Sequence, residues 1–205
     1  MTDGPDEVPV VDGSIYGGAA FAVGYLTTLV LVVFVEGDRL LGDTIDGAGW
    51  LYYNAQFVSV EERGFASVDA GVGDGGEISG VNYLTGSGLE AVASEGTNGA
   101  ITQLPAVLYH AIPVVAFVAF GLLLARKLGV ETVSTGAKVG ASLALGGVLA
   151  ALGGTYLFEV GNAIGPNRFE AVALAGIVYP VVCGAVGGVL GAVLCKYEIR
   201  GFSSR

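Results

Sequence analysis

The sequence predicts an all-α integral membrane protein, a bundle of four transmembrane helices with one long acidic extracellular loop. Composition is the first sign: the chain is 53% hydrophobic and 14% charged, where an ordinary soluble domain carries about 25% charged residues, and its mean hydropathy is +0.68. The second is that the missing charge is concentrated in four runs, 14–35, 101–125, 139–158 and 171–194, none of which holds an Asp, Glu, Lys or Arg. The third is length. Each run reaches the roughly 20 residues that a helix rising about 1.5 Å per residue needs to cross about 30 Å of hydrocarbon. A single such run would suit a buried helix in a soluble core, but four in one chain of 205 residues argue against that.

The first run, 14–35, follows an N-terminal segment, 1–13, with Asp3, Asp6, Glu7 and Asp12 and no Lys or Arg. A signal peptide has a basic start and a shorter apolar stretch, so this run reads as a true span. The 36–100 segment is then a loop of 65 residues, too long for a plain connector, and dense in Gly, Ser, Asp and Glu over 68–80 and 85–99. Much of it is expected to lack a packed core of its own. Within it, Trp50, Tyr53, Phe57 and Val60 fall at helical spacing, and Trp and Tyr favour the headgroup layer, so Trp50, Tyr53 and Phe57 are expected to form an interfacial anchor or to cap the bundle. Spans two, three and four follow, joined by 126–138 and 159–170, and the chain ends in a basic tail, 195–205.

Orientation comes from Lys and Arg, which stay on the cytoplasmic side. Arg126, Lys127 and Lys138 flank the link between spans two and three, and Lys196, Arg200 and Arg205 lie in the tail. This places both termini in the cytoplasm and 36–100 and 159–170 outside. The two outer segments carry 13 acidic and 3 basic residues and the inner segments 6 of each, so the net charge of −10 sits outside. An acidic surface with only three Lys in the chain suits concentrated salt, where the Debye length shrinks to about 3 Å at 1 M, and points to a halophile.

Four spans, a Gly/Asp-rich outer loop and the segment Gly49-Trp50-Leu51-Tyr52-Tyr53-Asn54-Ala55-Gln56-Phe57-Val58 together resemble uncharacterised four-span membrane proteins of haloarchaea. The aromatic segment is the specific part of that likeness. It implies an archaeal cell membrane and this topology, and no mechanism.

Thirty-five glycines would weaken soluble helices, but between membrane helices small residues let backbones approach. Gly140, Ala144, Gly147, Ala151 and Gly154 recur at steps of four and three, the 3.5-residue seam of a left-handed pair, and Gly184, Gly188 and Gly191 on span four are expected to face it. A small-residue face left over would serve a homo-oligomer or another membrane protein. Pro113 and Pro180 remove backbone bonds deep in spans two and four and are expected to kink both helices at similar depth. Ile112-Pro113-Val114-Val115 matches Tyr179-Pro180-Val181-Val182, and Phe34-Val35-Glu36-Gly37 matches Phe158-Glu159-Val160-Gly161. Either the chain is a duplicated helical hairpin of parallel repeats or apolar segments have matched by accident.

His110 is the only histidine and the readily titratable group within the four runs. With Tyr109, Tyr179 and Thr28 it could line a polar vestibule in the outer half, which is the place to look for function in a membrane span. The alternative is a neutral imidazole bonded to a Tyr hydroxyl or a kink carbonyl, holding helices together. No carboxylate lies in the runs to complete a proton relay, and no ligand set suggests a metal. Cys183 and Cys195, twelve residues apart on one helix, are roughly 18 Å apart by helical rise and cannot pair with each other. No Gly-x-Ser-x-Gly, His-Glu-x-x-His, Walker or dinucleotide motif occurs, and the negative charge opposes nucleic-acid binding. The expectation is therefore a noncatalytic structural or accessory protein, without cofactor, that engages the lipid bilayer and itself or another membrane protein. The alternative is a small transporter or channel subunit.

Overall fold

The computed structural model describes residues 9–36, 44–62, 80–85, 102–161 and 164–202, with side chains throughout except at 62 and 198–202. Most of 68–80 and 85–99, and the basic residues Arg39, Arg63 and Arg205, lie outside this set. Four helices are long and apolar enough to cross a membrane: Val10–Glu36, Ala106–Lys127, Val133–Leu157 and Arg168–Tyr197. The first is α1 (Val10–Leu31), which widens into a π-helical turn over Val32–Glu36. The second is α3 (Ala106–Lys127), which runs unbroken through Pro113.

The third is in two pieces, α4 (Val133–Ala141) and α5 (Ala144–Leu157), broken at Ser142, whose hydroxyl bonds the Val139 carbonyl at 2.6 Å. The fourth begins with α6 (Arg168–Glu170), passes through a π-helical stretch, Ala171–Val178, and continues as α7 (Tyr179–Phe202). Pro180 thus follows a wide turn, while Pro113 sits in regular α-helix, so the two matched prolines are accommodated differently. All four helices outrun their charge-free cores at one end or both. Lys138 stands inside the third helix and Glu36 inside the first, because a charged residue can end a span without ending its helix.

Spans one and four each pack against spans two and three. Glycine makes the closest approaches. A Cβ at Gly140 would fall on the Gly184 carbonyl oxygen, one at Gly184 on the Gly140 carbonyl, and one at Gly188 on the Gly136 carbonyl. Gly191 turns instead to Leu122 and Ala125 of α3. Gly147 meets Pro180, and Gly154 faces Tyr53 rather than a neighbouring span. Span one has a seam of its own, since a Cβ at Gly17 would meet the Leu143 carbonyl at the break in span three. Gly18 and Gly153 have open space beside them. Cys183 and Cys195 are free thiols.

One end of the bundle, the tail end, holds the start of α1, the α3–α4 link and the end of α7, and is tied by Lys127 Nζ to Asp12 at 2.8 Å. The other carries a cap: α2 (Thr44–Asn54) and an antiparallel pair, β1 (Val60–Glu62) with β2 (Ile164–Pro166), in the register Val60↔Pro166, Glu61↔Gly165, Glu62↔Ile164. The pair joins the long loop to the 159–170 segment. Val81 forms a further bridge to Val60.

Candidate functional site

The polar groups gather at the cap end, around α2. Asp46 in its first turn suits the positive end of the helix dipole, and every residue from Gly47 to Asn54 is buried. Two of its aromatic side chains, Trp50 and Tyr53, can be buried because their polar tips find backbone carbonyls inside the bundle. Trp50 Nε1 donates to the Phe158 carbonyl at 2.8 Å, and Tyr53 Oη donates to the Ala151 carbonyl. The Tyr52 ring meets Phe21 edge-on at 5.0 Å. Gly24 and Gly154 supply the room: a Cβ at either would strike the hydroxyl of Tyr52 or Tyr53. Burial pushes both phenols above their ordinary value of 10.0, with Tyr53 and Tyr179 adding to the shift of Tyr52. Trp50 and Tyr53, expected as an interfacial anchor or cap, lie within the bundle mouth, while Phe57 is 59% exposed.

The turn after α2 brings sequence-predicted residues together. The Ala55 carbonyl accepts from His110 Nδ1 at 2.7 Å and from Tyr179 Oη at 3.2 Å. A carbonyl can only accept, so Nδ1 carries the imidazole proton. Phe57 holds a left-handed φ of 61° and stacks on the His110 ring at 4.7 Å and 19°, a backbone choice worth roughly 1–2 kcal/mol of strain in a non-glycine residue. Thr28 is buried but donates to the Gly24 carbonyl of its own helix at 3.1 Å, and Thr155 likewise to Leu152 at 2.8 Å. The Tyr109 hydroxyl bonds Glu36 and not the Ala55 carbonyl.

Tyr109 leads to a group that reading by charge-free runs passes over. Glu36, 1% exposed, ends the π-helical turn of span one. Its carboxyl accepts from Tyr109 Oη at 2.5 Å, from the Gln103 amide at 2.7 Å and, at 3.5 Å, from the Leu104 amide. All three partners donate to it, the pattern of a carboxylate. The helical spans therefore do contain an acidic side chain, correcting the expectation that they hold none. The available signal was the position of Glu36 directly after an unbroken apolar run.

Above this layer, Asn54 ties the long loop together. Its Nδ2 donates to the Val58 carbonyl at 2.7 Å and its Oδ1 accepts from the Tyr83 amide at 2.8 Å, while Tyr83 stacks on Trp50 at 6.1 Å. This part of the loop has a core, built on the aromatic segment, while the Gly-rich stretches expected to lack one lie almost wholly outside the described residues. Glu170 accepts from both the amide and the hydroxyl of Ser59 at 2.7 Å, and Arg168 pairs with Glu159 at 2.9 Å over the face of Tyr156. Two buried polar atoms of α2 and its turn, Tyr52 Oη and Gln56 Oε1, have no hydrogen-bond partner among the described residues. No three or more His, Cys, Asp or Glu among the described residues are placed to hold a metal ion.

Four apolar helices of spanning length, closed at one end by an inserted aromatic helix, define a multi-pass helical membrane protein. The chain belongs to the DUF7978 family, described as a family of unknown function, which it matches over residues 1–195. No curated protein and no solved structure matches it.

Proposed function

We propose that this is a noncatalytic structural or accessory membrane protein, with both termini cytoplasmic and the cap outside, in the acidic, lysine-poor style of a halophile. The observation that carries the reading is the seating of α2. It fills the mouth where a vestibule would open, and His110 Nδ1 and Tyr179 Oη both donate to the Ala55 carbonyl that follows it. Backbone contact at Gly140, Gly184 and Gly188 leaves those seams no width for a solute. The basic residues of the tail end support the orientation. Partners then meet the bundle from its lipid-facing surface or the cap, and the open faces at Gly18 and Gly153 suit a second copy or another membrane helix.

Transport by the monomer is the second reading, favoured by the buried Glu36 and by Tyr52 Oη and Gln56 Oε1 beneath the cap, which have no hydrogen-bond partner among the described residues. Purified protein in sealed vesicles, assayed for ion and small-solute flux in high salt, separates the two. The structural reading expects no flux above empty vesicles, and a flux that falls on substitution of Thr28, His110 or Tyr179 would overturn it. Affinity purification from the native membrane tests the accessory role by asking for a stoichiometric partner or a homo-oligomer.

A further inference from the structure

At the tail end, a groove of 380 Å³ is lined by Glu131, Thr132, Val133, Val193, Lys196 and Tyr197. We propose that it binds the phosphodiester headgroup of a membrane lipid, with the phosphate at Lys196 and a donor on the far side of the headgroup, hydroxyl or ammonium, at Glu131.

Both walls are built, not incidental. One is set by the end of α3: the Val130 amide bonds the Ala125 carbonyl and the Gly129 amide bonds the Arg126 carbonyl, both at 3.1 Å. Gly129 takes a φ of +62° between them. This is a Schellman motif, and burial of Val130 pins it to the bundle. It delivers Glu131 to the rim and Thr132 to the N-cap of α4, where its Oγ1 accepts from the Thr135 amide at 3.3 Å. The other wall is one face of α7, since Val193, Lys196 and Tyr197 are three and four residues apart. The close approach of Gly136 to Gly188 holds α4 against α7 and so fixes the distance between the walls.

The position selects a lipid over a soluble ligand. Span two ends at Lys127, span three begins at Val133 and span four ends at Tyr197, so the groove lies in the plane where hydrocarbon gives way to headgroups. Its apolar floor, Val133 and Val193, continues into exposed Leu194 and Leu190 on α7, a track for an acyl chain. Lys and Tyr are side chains that keep an apolar stem in lipid and a polar tip among headgroups. One cation and one carboxylate across the groove complement a headgroup with an anionic phosphate followed by a donor. Phosphocholine has the phosphate but no donor.

The test uses full-length protein in neutral detergent, titrated with phosphatidylglycerol, phosphatidylethanolamine and phosphatidylcholine of matched chains, bound lipid being counted by native mass spectrometry. Soluble glycerol 3-phosphate is the competitor. Retention of the glycerol and ethanolamine lipids above the choline lipid is expected, and K196A should weaken it about fivefold, the effect of one basic residue near a membrane surface. K138A, at the same end but outside the groove, should change it less than about twofold on the same reasoning. E131Q should narrow the preference over phosphatidylcholine, and V193W, which fills the floor, should abolish retention. Equal retention of all three lipids, equal effects of K196A and K138A, or displacement by glycerol 3-phosphate at lipid-like concentration would each overturn the proposal. K196A alters an exposed side chain, so its result stands even where V193W fails to fold.

Discussion

The bond between Glu36 and Tyr109 ties the end of span one to span two. Tyr109 is fully buried and Glu36 is 1% exposed, and their oxygens are 2.5 Å apart. A hydrogen bond to a charged acceptor contributes about 1.5–3 kcal/mol, and a short, buried one belongs toward the upper half of that range. Tyr109→Phe keeps the ring and deletes only the hydroxyl, leaving Glu36 with its amide partners, so a loss of about 2.5 kcal/mol is expected on that scale. Glu36→Gln keeps the volume but removes the charge that the Tyr109 hydroxyl and the Gln103 amide share, and turns a donor toward one of them. It should cost at least as much. In the double variant the second change has little left to remove, so the coupling energy should be about 1–2 kcal/mol. Equilibrium unfolding in mixed micelles, followed by Trp50 fluorescence, gives the four free energies. A coupling below about 0.5 kcal/mol, the usual limit of additivity for independent sites, would show that the pair is close without being bonded.

Three further outcomes follow from the packing. Gly140→Val and Gly184→Val each drive a side chain into the partner backbone and should lower stability by at least the 1–3 kcal/mol typical of overpacking, whereas Gly18→Ala and Gly153→Ala, open on that side, should be neutral or slightly stabilising; micelle unfolding measures both, and equal losses at all four would sink the seam. His110→Phe keeps an aromatic ring on Phe57 and leaves Tyr179 on the Ala55 carbonyl, so it should cost about 1 kcal/mol and leave any vesicle flux unchanged. Burial raises Tyr52, Tyr53 and Tyr83 above the ordinary 10.0, so their contribution is intact below that pH and is lost as pH rises from there toward the folded values; hydrogen exchange should show α2 loosening only above about pH 10, and loosening between pH 7 and 9 would contradict the burial.

Four spans could be read because hydrocarbon excludes charge, and a charge-free run measures the width of the apolar layer. It does not measure the helix. Span three reaches back to Val133 past Lys138, and span one reaches Glu36, so a carboxylate buried and bonded at the end of span one fell on the wrong side of a boundary drawn by charge. Glycine spacing could be read too, but not the surface each glycine meets. Gly140 meets Gly184, while Gly154, on the same stripe, is the socket for a tyrosine from a distant loop. The helical period of Trp50 and Tyr53 was visible. Nothing local revealed that their polar tips bond carbonyls about a hundred residues away, at Phe158 and Ala151. Depth alone could not supply the acceptor that His110 and Tyr179 share, since it belongs to the loop.

The conspicuous polar side chains of the cap have one thing in common: most engage a backbone group that a helix or turn leaves without a partner. Helix ends expose amides and carbonyls, and in an apolar surrounding each orphan costs several kcal/mol. Phe158 is the C-cap of α5, and its carbonyl is taken by Trp50. Ala55 directly follows α2, and its carbonyl is taken by His110 and Tyr179. The Gln103 and Leu104 amides precede α3 and are taken by Glu36, and the Ser59 amide is taken by Glu170. A half-buried histidine and a buried glutamate and tryptophan in a membrane protein invite a reading as chemistry, yet here each bonds backbone that must be capped where several helix ends converge. The same accounting isolates what is left over. Tyr52 Oη, Gln56 Oε1 and Arg168 Nε are buried and bond nothing among the described residues, so they take no part in this capping.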